Sequence, residues 1–119
     1  KVLNWLETNR SSLTYISAMT IGELEQGIVR SPSPRRAKEL RDWLESQLKP
    51  KFRNRILGLD EKVMTHWGQI TGEALNKGRP ANLFDSLLAA TAIAHQLTLV
   101  TRNVRDVSMF AVTVFNPWE

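Results

Sequence analysis

Apolar residues recur at helical spacing over long stretches of this chain and gather in short β-rich runs between them. Val2, Leu3, Trp5 and Leu6 read as the end of an amphipathic helix that closes near Asn9. From Ser12 to Ile16, Leu13 and Tyr15 alternate with β-branched Thr14 and Ile16, as in a short strand. Ser17 or Thr20 can cap a helix running to about Val29, with Ile21, Leu24 and Ile28 on one face. Ser33 followed by Pro34 supplies a cap and a proline suited to a first helical position. The helix they open should reach about Leu48, with Leu40, Trp43, Leu44 and Leu48 inward and Pro50 as its end.

Beyond Pro50 the alternation continues. Ile56, Leu57 and Leu59 predict a brief strand, and Asp60 caps a helix that carries Val63, Trp67, Ile70 and Leu75. Asn76 to Pro80 is a loop by its Gly78 and Pro80. The next helix, Leu83 to about Gln96, is the most apolar. Leu83, Phe84, Leu87, Leu88, Ala90, Ile93 and Ala94 cover nearly its whole circumference, which predicts burial. Leu97 to Thr101 and Val112 to Phe115 read as strands. Helices alternating with short strands predict an α/β fold with a mainly parallel sheet, in a three-layer α/β/α sandwich. A length of 119 residues fits one domain spanning residues 1–119.

Composition narrows the function classes. With no cysteine, the chain can form no disulfide, thiolate zinc site or cysteine nucleophile. No apolar run approaches the roughly 20 residues that span a membrane, and no secretory signal is visible, so the expected location is the cytoplasm. Sixteen Lys and Arg against 12 Asp and Glu leave a net charge of +4, which suits an anionic partner such as nucleic acid or an acidic protein.

Three polar features sit at strand ends and helix starts, where such folds keep their sites. Glu23 lies in the first turns of a helix that follows a strand, Asp85 in the first turn of the apolar helix, and Thr101 to Asp106 directly after a strand. Carboxylates gathered at one sheet edge repel each other unless a cation neutralises them. An all-oxygen set favours Mg²⁺ or Mn²⁺ over zinc. Each acid also has a plainer reading. Asp85 can complement a helix dipole, Glu23 can be a surface acid like neighbouring Glu25, and Asp106 can cap a short helix through Phe110. His66 and His95 lack metal-ligand spacing, and no Ser/His/Asp set or phosphate-cradling glycine loop is present.

Four segments, in order, resemble the PIN-domain toxins of the VapC and FitB type. Ser17 to Ile28 is similar to the family's S-x-x-T-x-x-E-L-x-x-G-I, and Pro80 to Ala92 to its P-x-x-x-x-D-x-x-I-A-A-T-A. Leu99 to Asp106 resembles the strand exit L-x-T-R-N-x-x-D-F, and Asn116-Pro117-Trp118 the ending N-P-W. The resemblance implies a small endoribonuclease that holds Mg²⁺ or Mn²⁺ on three or four acids and leaves a 5′-phosphate. It implies a tRNA or rRNA substrate, a homodimer and a cognate antitoxin protein. Glu23 and Asp85 match the second and third acids. The fourth is open between Asn103 and Asp106, while Arg79, Arg102 and Arg105 are candidates for RNA phosphates, with solvated loop charge as their other reading.

One departure stands at the front. Family members open with a central strand reading L-D-T-N, whose aspartate is the first metal ligand. This chain begins inside the helix that follows, so about 20 residues are expected to be missing, by usual element lengths. The expectation is then an incomplete metal site with weak activity or none. The rival class is a PIN-like module that binds RNA or an antitoxin without cleaving.

Overall fold

The computed structural model describes residues 14–102 and 104–117. The expected opening helix, Asn103 and Trp118 lie outside the described residues. Two compact units emerge, one up to Gly58 and one from Leu59 onward.

In the first unit, β1 (Ile16–Ser17) leads directly into α1 (Ala18–Arg30). Of the two candidate caps, Ser17 does the work, its hydroxyl accepting from the Met19 N–H at 3.0 Å. Ser33 likewise caps α2 (Pro34–Trp43), accepting from the Arg36 N–H at 3.2 Å, with Pro34 in the first turn. β1 pairs in parallel with β2 (Ile56–Leu57), Ile16 opposite Ile56 and Ser17 opposite Leu57.

Pro50 does not end this helical run. After α2 the chain widens into a π turn, Leu44–Leu48, and then makes one more helical turn, α3 (Lys49–Lys51). In a regular helix the proline ring would press on the carbonyl four residues back. The wider turn, in which the Lys49 N–H reaches the Leu44 carbonyl, absorbs that conflict. Burial also differs from expectation. Leu44 is fully buried, but Trp43 beside it is exposed, and Phe52, assigned no role by the pattern, is buried. Arg55 sits over the Phe52 ring at 5.2 Å and donates to the carbonyls of Thr14 and Lys51 at 2.7 and 2.6 Å. That clamp fixes the loop entering β2.

The second unit is built on α4 (Glu61–Asn76) and α5 (Leu83–Ala94). Asp60 caps α4 as expected, accepting from the Val63 N–H at 3.0 Å. Gly78, at φ +68, turns the chain out of α4, and the Arg79 N–H closes the end on the Ala74 carbonyl at 2.8 Å. The two helices meet on small side chains. Val63, Ala90 and Ala94 form one buried cluster with Trp67 and Ile70 against it, and Ala74 and Ala89 join Val107 and Phe110 in another. Leu75 is 64% exposed, so Ala74 rather than Leu75 carries the inward face there. At the start of α5, Leu83 and Phe84 also point to solvent at 55% and 46%, and burial begins at Ser86. The apolar surface of α5 is therefore not continuous around its first turn.

β3 (Leu99–Val100) and β4 (Val114–Phe115) pair in parallel, with α6 (Val104–Val107) between them in the chain. The described strands are short, and they form two separate two-stranded sheets. Both pairings are parallel, as the α/β reading requires.

Candidate functional site

The start of α5 is held from several directions. The Asn82 side-chain oxygen caps it, accepting from the Asp85 N–H at 3.1 Å, and the Asn82 carbonyl accepts from the Ser86 N–H at 2.9 Å. The Ser86 hydroxyl, essentially buried, donates to the Leu83 carbonyl at 2.9 Å and accepts from the Trp67 indole N–H at 3.0 Å. Asp85 thus stands on a fixed backbone at the mouth of a buried helix.

Its carboxylate is half-buried and faces a second acid. Burial pushes the Asp85 carboxyl above its usual range, and the negative charge of Asp106 pushes it further. Asp106 is exposed within α6. It therefore does not cap that helix, because α6 starts two residues earlier, at Val104. Asp85, partly withdrawn from water and beside the Asp106 charge, is an oxygen donor of the kind a hard divalent cation takes. Among the described residues, no three His, Asp or Glu side chains gather into a metal cluster.

The other expected residues stand as follows. Glu23 is exposed on α1, in its second turn, in the unit that ends at Gly58. Arg79, Arg102 and Arg105 are all exposed in the unit that holds Asp85. Three of the four basic residues of α2 are otherwise engaged. Arg35 pairs with Glu39, Lys38 with Asp42, and Arg41 reaches across to Glu25 on α1 at 2.6 Å. Ser86 and Trp67 were not expected here. A serine inside an apolar helix signals an internal hydrogen bond, but its partner lies 19 residues away and has no sequence mark.

No helix among the described residues is long and apolar enough to cross a membrane. Residues 1–110 match the PIN domain family model. The toxin FitB of Neisseria gonorrhoeae is 35% identical over 118 residues, covering 99% of this chain and 85% of FitB. The VapC ribonuclease Y4jK of Sinorhizobium fredii is 28% identical, covering 99% of this chain and 84% of that protein. The crystal structure of FitAcB from Neisseria gonorrhoeae superposes with a TM-score of 0.93 at 35% identity, over 99% of this chain and 85% of the other. A family match extending from the first residue through Asp85 and Asp106, joined to a fold this close, makes the protein a member of the PIN domain family.

Proposed function

We propose that this protein is a Mg²⁺- or Mn²⁺-dependent endoribonuclease, the toxin of a toxin–antitoxin pair, with residues 1–119 forming one PIN domain. The observation that carries the reading is the Asp85–Asp106 pair. A carboxylate held half-buried beside a second negative charge is one whose ionised form a cation would stabilise. Glu23, Asp85 and either Asn103 or Asp106 are the residues that hold the ion. A divalent cation bound there supplies positive charge to an attacking water and to the phosphodiester oxygens.

The chain's own groups do the rest. Asp85, fixed by the Asn82 cap, would present its carboxylate to the ion. Whichever of Asn103 and Asp106 completes the set positions the water. Arg79, Arg102 and Arg105, exposed in the same unit as Asp85, bind RNA phosphates and set the strand's register. Structured RNA such as tRNA or rRNA is the substrate, a cognate antitoxin the inhibitor, a homodimer the working form, and the cytoplasm the place of action. The naming of one relative as a toxin and another as a VapC ribonuclease supports this assignment.

The test incubates bulk tRNA and rRNA with Mn²⁺ and either the 119-residue chain or a form extended by an L-D-T-N strand. Cleavage by either form, lost in EDTA and in Asp85→Asn, is the expected result. No cleavage by either well-folded form would replace the nuclease reading with a binding role.

A further inference from the structure

The contact between α4 and α5 is apolar, with alanines packed beside Val63, Trp67 and Ile70. Ala74, Ala89, Ala90 and Ala94 bring the helices close, but apolar contact of this kind has no direction and does not fix rotation about the axis. The hydrogen bond from Trp67 to Ser86 does have direction. It crosses from α4 to α5 at 3.0 Å, at a serine only 1% exposed.

A buried hydroxyl inside a helix is a poor choice for helix stability, since alanine would serve better at the same volume. Here both of its hydrogen-bonding capacities are used, one toward Trp67 and one toward the Leu83 carbonyl. The next residue back is Asp85. A turn of α5 about its axis swings Asp85 through the same angle, toward or away from Asp106.

We infer that Trp67, acting through the Ser86 hydroxyl, is a positioning residue that fixes the rotation of the first turn of α5 and so the aim of Asp85 at the cation. This rests on the proposed metal site. Trp67 touches neither ion nor RNA, and its effect reaches the site through one bond.

The experiment measures Mn²⁺ affinity by calorimetric titration, alongside the melting temperature of the metal-free protein. The variants are Trp67→Phe, Ser86→Ala, the double variant, Asp85→Asn and Val63→Ala. Trp67→Phe and Ser86→Ala should each weaken Mn²⁺ binding about 10-fold, the lower end for partners that orient a ligand. The double variant should be no weaker than either single, because both remove the same bond. Val63→Ala opens the same helix contact without touching Ser86, and should lower the melting temperature while leaving Mn²⁺ affinity unchanged.

Unchanged affinity in Trp67→Phe and Ser86→Ala, with Asp85→Asn still losing the ion, overturns the inference alone. So does an equal loss of affinity in Val63→Ala, which would mark Trp67 as ordinary packing. Mn²⁺ binding by Asp85→Asn as tight as by the parent overturns the metal site and the inference with it.

Discussion

Glu25 and Asp85 are both helix carboxylates in partly exposed positions, and the fold moves them in opposite directions. The Arg41 guanidinium donates to Glu25 at 2.6 Å and holds its carboxyl below the usual range. Burial and the charge of Asp106 hold Asp85 above it. The first acid is completed by its own protein, and its bond ties α1 to α2. The second is left facing another acid and is completed by nothing the described residues supply. Charge that a fold neutralises for itself is structural. Charge that it leaves opposed is what the proposed cation would neutralise.

The comparison breaks most decisively at Asp85. Replacing Asp85 with Asn should cut RNA cleavage by more than about 100-fold, beyond the loss typical of groups that merely orient a ligand. The metal-free variant should melt no lower than the parent, and somewhat higher, because the substitution removes a repelled charge. A melting temperature several degrees below the parent's would mean that Asp85 is a structural acid like Glu25. Next in size is the response to metal. Mn²⁺ at about 100 times its dissociation constant should stabilise the parent by about 2.7 kcal/mol and leave Asp85→Asn unmoved. Arg41→Ala, on the Glu25 side, should keep the full Mn²⁺ response.

The smallest effect is a pair of opposite pH dependences in the metal-free protein. Asp85 has a folded value above its unfolded one, so its contribution is favourable below the unfolded value and is lost as pH rises through the folded value. Glu25 has a folded value below its unfolded one. Its contribution is present above the unfolded value and is lost as pH falls through the folded value. Denaturant melts across the acid range should therefore show Asp106→Asn easing the loss on the rising side and Arg41→Ala flattening the loss on the falling side. Identical profiles for both variants and the parent would remove the distinction between the two acids.

Helices were the legible part of this molecule. Ser17, Ser33 and Asp60 cap the helices they announce, because capping is local chemistry written within three residues. The parallel pairing followed from helices alternating with strands. Errors fell where the covering group is distant. Leu75, Leu83 and Phe84 have the polarity of core residues, yet they point away from the contact while neighbours Ala74 and Ser86 carry the inward face. Pro50 read as a stop because a proline cannot join a regular helix, and a π turn is not spelled by any residue type. Within the site, Asp85 and Asp106 were visible as acids after the right elements. Their mutual repulsion and the bond from Trp67 to Ser86 depend on contacts across the fold, which no local spacing encodes.

The alanine contact between α4 and α5 bears on how this helix pair can change over time. Alanine surrenders no rotamer freedom on burial, so at Ala74, Ala89, Ala90 and Ala94 the helices come together without side-chain entropic cost, which falls on Val63, Trp67 and Ile70 instead. At Ala89 and Ala90, both fully buried, an added methylene must displace a packed neighbour. Such a seam filters substitutions by volume far more strictly than by any other property. The helix that carries Asp85 has room to change mainly at its exposed first residues, Leu83 and Phe84, and along the rest it cannot grow in girth.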